Sequence, residues 1–240
     1  MSNIKNVEKK KCAVSDMAAA FLLTIFLLSF AVTFTLNFRP FYYFNITRLD
    51  IPAASGLSVE EIKANYDALI SYNSIFSNKP LVFPSFPMSE GGRIHFEEVK
   101  RIFASVQGLM FVAFAGCVAV CIRKLRKRRT SFLKLGAVCS LVLPLATGAL
   151  IAVNWDRFFV FFHEAFFDND FWMFNNKTDP VINILPDAFF LQCAVMILTL
   201  QVIGSAVLYF VGRRLGRRFT PSGVVRSGFR VSDGDSGSTE

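Results

Sequence analysis

Four runs of about twenty apolar residues constrain this chain more than any other feature of its sequence. They cover residues 17–36, 102–122, 135–154 and 188–211, and none contains a charged side chain. Each run predicts a helix that crosses a lipid bilayer, because only a helix satisfies its own backbone hydrogen bonds in hydrocarbon. The sequence therefore predicts an all-α membrane protein with four transmembrane helices.

The composition excludes the main classes of soluble protein. Only 18% of the residues are charged, whereas 53% are hydrophobic and 28 are phenylalanine. A soluble domain carries about a quarter charged residues. The five cysteines are scattered without a CxxC pair, so the chain has neither a disulfide framework nor a zinc-ribbon spacing. A soluble enzyme, a disordered chain and a disulfide-stapled secreted module are excluded.

The basic residues are concentrated on one side of the four spans. Segments 1–16, 123–134 and 212–240 are rich in Lys and Arg, whereas segments 37–101 and 155–187 together hold nine basic and thirteen acidic residues. Since basic residues beside a span favour the cytoplasmic side, we predict that both termini and the 123–134 loop are cytoplasmic. The net charge of +8 then faces anionic membrane lipids, and no nucleic-acid partner is needed.

The sequence also predicts the character of the first span and of the end of the tail. The first span is longer than the roughly 7–15 residues of a signal-peptide core and no clear cleavage site follows it, so we interpret it as an uncleaved signal anchor. The last ten residues, VSDGDSGSTE, are polar and rich in Gly and Ser. They predict a disordered end to the cytoplasmic tail.

The two outer segments differ in character. Segment 37–101 is long enough for a small extracellular cap, and Ser58 with Glu61 forms a capping-box pattern before residues with helical apolar spacing. In segment 155–187, ten of the twenty residues from Trp155 to Phe174 are aromatic. Such rings are typical of the membrane interface. Because ionisable residues are threaded among them, they also suit a site that is open to acyl chains.

The chain contains two histidines, His95 and His163, and both lie in the outer segments. His95 precedes the second span by seven residues and His163 follows the third by nine, so the imidazoles could meet where the cap joins the membrane. Taken singly, each is more often structural than catalytic. Together they could supply a base and an acid near neutral pH. No HExxH spacing supports zinc and no GxSxG supports a serine hydrolase, which favours a nucleophile that belongs to the substrate.

Three sequence segments resemble the lipoprotein intramolecular transacylase family of Gram-positive bacteria. They are YDALISYN (66–73), HFEEVKRIF (95–103) and FHEAFFDNDFWMFNNKTDPVINILPDAFF (162–190). The resemblance implies four transmembrane helices beneath an extracellular cap. It also implies transfer of an acyl chain, within a diacylglyceryl-modified lipoprotein, from the glycerol sn-2 oxygen to the α-amine of the N-terminal cysteine. The product would be a lyso-form lipoprotein.

The resemblance also implies roles for individual residues. His95 and His163 would be the catalytic pair, one as base and the other as acid, and Glu98 would orient an imidazole. We expect the aromatic segments to hold the acyl chains. The predicted substrate-binding residues are Tyr66, Arg157, Phe162, Phe166, Phe167, Trp172, Asn175 and Asp179. No metal or other cofactor is required, and the expected partners are diacylglyceryl-modified lipoproteins and membrane lipids.

The expected location is the bacterial plasma membrane, with the active site at its extracellular face. The residues leave two other functions open. One is a non-enzymatic four-helix membrane protein that binds lipid or lipoprotein and whose histidines stabilise the cap. The other is a zinc-dependent membrane hydrolase, which would place a third metal ligand beside the histidine pair.

Overall fold

The computed structural model describes residues 2–219, with side chains from residue 13 onward. Within these residues all regular secondary structure is helical and no strand is present, and loops join several of the helices. Its helices are α1 (Ser2–Asn37), α2 (Arg39–Arg48), α3 (Ile51–Ser55), α4 (Val59–Tyr72), α5 (Glu90–Arg126), α6 (Ser131–Val153), α7 (Trp155–Phe166) and α8 (Asp187–Phe219), and a 3₁₀ turn at Pro180–Ile184 precedes α8. The predicted disordered end of the tail lies outside the described residues.

Four helices are long and apolar enough to cross a membrane, namely Ala13–Asn37 of α1 and the whole of α5, α6 and α8. The predicted fold class, an all-α protein with four transmembrane helices, is confirmed. Three helices extend well beyond the predicted spans, since α1 begins at Ser2, α5 begins at Glu90 and α8 continues to Phe219. The 37 residues of α5 measure about 55 Å, against a bilayer core of about 30 Å. The first turns of α5 therefore project beyond the apolar layer.

Helix α1 is the centre of the transmembrane bundle. It packs against α5, α6 and α8, and α6 also packs against α8. Each contact brings a glycine of the neighbouring helix against a leucine of α1. The pairs are Gly116 with Leu22, Gly136 with Leu23, and Gly204 with Leu27. Small residues let transmembrane helices approach closely, and this is how packing energy is gained where lipid is as apolar as the side chains.

A buried ion cluster joins three helices at one end of the bundle. Asp16 of α1 accepts from Nζ of Lys124 at 2.6 Å, from Nη2 of Arg129 at 2.9 Å and from Oγ of Ser131. Asp16 and Lys124 are both buried. Because a buried charge requires a partner, the cluster holds α1 against the end of α5 and the start of α6.

The cap consists of α2, α3, α4 and the loop that follows them. The predicted capping box is confirmed, because the side chains of Ser58 and Glu61 each accept a hydrogen bond from the backbone N–H of the other. The aromatic core of the cap stacks Tyr42 on Tyr66 at 3.6 Å between ring centroids, with Phe189 of α8 edge-on to both. This core attaches the cap to the start of α8.

Candidate active site

The first histidine lies in the projecting part of α5. Ser89 caps this helix by accepting the backbone N–H of Gly92, and His95 follows in the next turn. The imidazole is 5% exposed and packs against the rings of Phe167 and Phe174, at centroid distances of 4.7 and 5.4 Å. Among the described residues its buried Nδ1 has no hydrogen-bond partner. A buried polar atom without a partner is unusual in proteins, and it marks His95 as a candidate for contact with substrate.

The second histidine is on α7, the amphipathic helix that follows α6. Nδ1 of His163 lies 2.7 Å from the carbonyl oxygen of Phe159, one turn earlier. A carbonyl only accepts, so Nδ1 carries the proton and donates it, and in the neutral ring Nε2 carries the lone pair. Trp172 stacks on the imidazole at 4.7 Å. The hydrogen bond to Phe159 within α7 therefore makes Nε2 the basic nitrogen of His163.

The two imidazoles face each other across a centroid distance of 6.3 Å. Burial lowers the pKa of His95 to about 4, and the nearby charge of His163 acts in the same direction. Burial also lowers the pKa of His163, although the Phe159 carbonyl and the charge of Asp187 oppose this shift. Both rings are therefore neutral at pH 7, so the pair offers lone pairs and N–H donors instead of positive charge.

Aromatic side chains surround the pair, and we call Phe159, Phe162, Phe167, Trp172 and Phe174 the aromatic wall. Phe167 is buried and contacts both imidazoles, at 4.7 Å from His95 and 5.8 Å from His163. Phe162 meets His163 edge-on at 5.6 Å, and Phe166 packs against Phe162. Phe162 and Phe166 are exposed, unlike Phe167. The site thus has a buried aromatic interior around His95 and an exposed apolar rim.

The described part of the chain offers no group of three or more His, Cys, Asp or Glu side chains that could hold a metal ion. The third ligand that a zinc hydrolase needs is missing beside the two histidines within these residues. The geometry instead provides two neutral imidazoles inside an apolar, water-poor site. Such an arrangement suits proton transfer during acyl transfer, where general acid–base catalysis is the main chemical requirement.

Comparison with known proteins agrees with this geometry. The family described as lipoprotein intramolecular transacylase Lit matches residues 17–190. A solved structure of the membrane-integral lipoprotein intramolecular transacylase Lit from Bacillus cereus is 33% identical and covers 86% of this chain and 96% of that chain, with a TM-score of 0.84. The chain belongs to the lipoprotein intramolecular transacylase family. It is therefore an acyltransferase and a multi-pass membrane protein, as the sequence predicted.

Two further structures of the B. cereus transacylase are of variants in which one histidine is replaced. The arginine variant is 31% identical, covers 90% of this chain and 97% of that chain, and has a TM-score of 0.83. The alanine variant is 32% identical, covers 89% of this chain and 97% of that chain, and has a TM-score of 0.82. The search of curated proteins gave no significant match.

In this transacylase the carboxylate of Glu98 does not form the contact expected of it. Both of its oxygens accept from Nδ2 of Asn169, at 3.1 and 3.2 Å, and Arg101 lies 4.0 Å away. Nδ1 of His95, which a carboxylate could have oriented, has no partner within the described residues. Glu98 therefore holds the segment after α7 against α5, and it positions the aromatic wall instead of an imidazole.

Asp179 and Asn175, both predicted to bind substrate, form hydrogen bonds with backbone groups of the chain itself. Asp179 is 4% exposed, and its Oδ1 accepts the backbone N–H of Ser89 at 2.8 Å, directly before α5. Asn175 is exposed, and its Oδ1 accepts the backbone N–H of Lys177 in the turn that leads to Asp179. Together they fasten the end of the aromatic segment to the start of the helix that carries His95.

Two other predicted substrate-binding residues lie apart from the histidine pair. Tyr66 is 4% exposed and makes its ring contacts with Tyr42 and Phe189 in the core of the cap. Arg157 is exposed at the start of α7, where its backbone N–H donates to the side chain of Asn154. Of the eight predicted substrate-binding residues, the structure brings Phe162, Phe167 and Trp172 against the imidazoles, and Phe166 packs against Phe162.

Phe159 and Phe174 belong to the site but were not predicted as site residues. Phe159 lies one helical turn before His163, its ring is 4.2 Å from the imidazole, and its carbonyl oxygen accepts the hydrogen bond from Nδ1–H. The i, i+4 spacing could have identified it. Phe174 reaches His95 from a loop. No periodic pattern marks a loop residue, so Phe174 could be found only in three dimensions.

Proposed function

We propose that His95 and His163 catalyse transfer of the sn-2 acyl chain of a diacylglyceryl lipoprotein to the α-amine of its N-terminal cysteine. The observation that carries the proposal is the pair of neutral imidazoles, 6.3 Å apart behind one aromatic wall. The B. cereus transacylase variants, each with one histidine replaced, support the importance of a histidine in that protein.

The geometry favours His163 as the base. Its Nδ1 proton is committed to the Phe159 carbonyl, which leaves Nε2 to take a proton from the substrate amine. An α-amine has a pKa of about 8, so it must lose a proton before it can attack an ester. The amine nitrogen bonds to the carbonyl carbon, the bond from that carbon to the sn-2 oxygen breaks, and the proton moves from nitrogen to that oxygen through His163.

His95 suits the second role, donation to the ester oxygens. With its pKa lowered to about 4 it stays neutral, so its ring retains one N–H donor. A neutral donor in a dry site stabilises a developing oxyanion without first having to gain a proton. We propose that the N–H of His95 binds the tetrahedral oxyanion or the leaving sn-2 oxygen. His163 then returns the proton as the acid.

The exposed phenylalanines of α7 suit the acyl chains of the substrate. Phe161, Phe162 and Phe166 are each at least 42% exposed, which for so many adjacent apolar rings is typical of contact with lipid. An acyl chain lying against them would enter the site from the bilayer. Holding amine and ester together in this way could lower the barrier by several kcal/mol, at best roughly 7–11.

We also propose that this site faces the outside of the bacterial plasma membrane and that both termini are cytoplasmic. The basic loop 123–134 and the basic end of α8 lie at the opposite end of the bundle from the cap. A membrane-impermeant maleimide applied to intact cells should label a single cysteine at position 79 but not one at position 128, in a cysteine-free background. The reverse pattern would overturn the orientation.

The test of the reaction is mass spectrometry of N-terminal lipopeptides from a host that makes only diacylglyceryl lipoproteins. The wild type should yield an N-acylated, S-monoacylglyceryl cysteine, whereas His95→Ala and His163→Ala should not at equal membrane levels. His163→Asn and His163→Gln form a matched pair, because Asn can preserve the Nδ1 hydrogen bond and Gln can place a nitrogen near Nε2. Both should be inactive, since neither amide is a base.

Activity in His163→Asn would show that His163 only stabilises α7 through the Phe159 carbonyl. Unchanged lipopeptides with well-expressed wild type would refute the proposed reaction for that host's lipoproteins. They would favour the non-enzymatic lipid- or lipoprotein-binding alternative for this chain.

A further inference from the structure

A hollow lies between α2 of the cap and the first turns of α8. Its volume is about 540 Å³. Phe41 and Phe44 line it from α2, and Leu191, Val195 and Met196 line it from α8. The hollow therefore lies where the transmembrane bundle meets the cap, at the level expected for lipid headgroups.

Two polar side chains of α2 belong to the lining. Asn45 is 1% exposed, and its Nδ2 donates to the carbonyl of Phe41 within the helix. Its buried Oδ1 has no partner among the residues described. Arg48, one turn later, is exposed and forms no ion pair within the described chain, and its guanidinium lies over the Phe44 ring at 5.9 Å. The hollow thus offers an unsatisfied acceptor beside an uncompensated positive charge.

Below these polar groups the hollow continues as an apolar surface. A second hollow of about 290 Å³ shares Val195 and Thr199 with the first and reaches Pro144 of α6 and Ile203 of α8. From Gln192 to Ile203, α8 rises by roughly 16 Å. The two hollows therefore combine a polar end with an apolar path toward the middle of the bilayer, which is the shape of a phospholipid.

This surface is separate from the histidine site. Phe190 is the α8 residue that packs against Phe159 of the aromatic wall. At about 100° per residue, Val195 and Thr199 are roughly 140–180° away from Phe190 around the helix. The hollow and the imidazoles therefore lie on opposite sides of α8, and an acyl chain in the hollow is not the chain that reacts.

We propose that the hollow binds one membrane phospholipid with an anionic phosphate and a hydroxyl-bearing headgroup, such as phosphatidylglycerol. Arg48 binds the phosphate, since a guanidinium matches phosphate oxygens in charge and geometry. A headgroup hydroxyl donates to Oδ1 of Asn45, and one acyl chain follows α8 past Thr199. The bound lipid joins α2 to α8, and so holds the cap on the bundle.

Native mass spectrometry of the full-length protein in detergent tests this proposal. Delipidated protein is incubated with phosphatidylglycerol or with phosphatidylcholine of the same acyl chains, because the choline headgroup has no hydrogen-bond donor. The variants are Arg48→Gln, Asn45→Leu and Thr199→Phe, the last of which blocks the junction of the hollows. Lys79→Gln, on an exposed cap loop, is the control for loss of one positive charge.

We expect one tightly held phosphatidylglycerol on the wild type and on Lys79→Gln, with a preference of roughly ten-fold over phosphatidylcholine. Arg48→Gln and Asn45→Leu should lose that preference, and Thr199→Phe should lose the bound lipid. Because Arg48 and Thr199 are both exposed, their variants are expected to fold more readily than Asn45→Leu, which changes a buried residue.

Three outcomes would overturn the proposal. Equal retention of both lipids by the wild type would show that the hollow contacts bilayer lipids without selecting their headgroup. Unchanged lipid binding by Arg48→Gln and Thr199→Phe would place the bound lipid elsewhere. Displacement of the phosphatidylglycerol by an equimolar diacylglyceryl lipopeptide would show that the hollow binds substrate. This result does not depend on the activity of the histidine variants, so it is distinct from a failure of the proposed function.

Discussion

Replacing Gly92 by alanine tests how the histidine site is held together. A Cβ at this position would lie 2.2 Å from Oδ1 of Asp179, whereas ordinary contact begins at 3.4 Å. Asp179 cannot easily yield, because it is 4% exposed and accepts hydrogen bonds from Ser89 and Thr178. The segment that carries Phe174 must therefore shift from the start of α5 by about 1 Å.

The expected loss of stability in Gly92→Ala is the sum of three contributions. Overpacking costs about 1–3 kcal/mol, and weakening the charge-assisted bond from Ser89 to Asp179 adds roughly 1.5–3 kcal/mol. The better helix propensity of alanine returns about 1 kcal/mol. We expect the free energy of unfolding to fall by about 1.5–5 kcal/mol. Because a 1 Å displacement of positioning groups can cost about 10²-fold in rate, lipopeptide conversion should fall by a similar factor.

The matched control is Gly108→Ala on the same helix. There the added Cβ would meet Cδ1 of Ile75 at 3.6 Å, an ordinary contact. This variant should equal or slightly exceed the wild type in thermal stability in detergent, and it should convert lipopeptides normally by mass spectrometry. If Gly92→Ala matches Gly108→Ala in both assays, the contact between Asp179 and α5 does not hold the site.

Three other predictions follow from the structure. The free energy of unfolding should fall as pH drops from 6.5 to about 4, and His95 should contribute at most about 3 kcal/mol to this loss. In this pH range the imidazole of His95 is protonated in the unfolded chain but stays neutral in the folded protein, because burial lowers its pKa. The lowered pKa of His163 should add to this loss of stability at low pH. The melting temperature of His95→Phe should therefore depend less on pH than that of the wild type. Asp16→Asn should lower the free energy of unfolding by about 3 kcal/mol or more, since it leaves the charge of buried Lys124 without its carboxylate partner. Lys124→Met in the same chain should recover part of this loss in thermal denaturation. Trp172→Leu should lower the rate of conversion more than membrane abundance, because it removes the ring stacked on His163; equal losses of both by quantitative blotting would make Trp172 a packing residue only.

The transmembrane architecture could be predicted because the bilayer leaves a sequence few choices. Hydrocarbon forces each apolar run into a helix, and two histidines in outer segments could meet at only one level of the molecule. The capping box of α4 was equally predictable, since Ser58 and Glu61 interact within one turn. All of these features depend on local spacing or on the solvent.

The partners of individual side chains depended on the path of the loop between α7 and α8. Glu98 has an imidazole at i−3 on its own helix, yet its hydrogen bonds go to Asn169, 71 residues away in the chain. Asp179 accepts the backbone N–H of the cap residue Ser89, 90 residues away in the chain, and Phe174 reaches His95 from the same loop. The chain by itself determined four helices, a cap and a histidine pair, because hydrophobic burial and local hydrogen bonding are readable in sequence. Tertiary structure alone decided that Glu98 bonds Asn169 instead of an imidazole, and that Phe167, Trp172 and Phe174 pack on the two imidazoles. An irregular loop has no periodicity from which such contacts can be predicted.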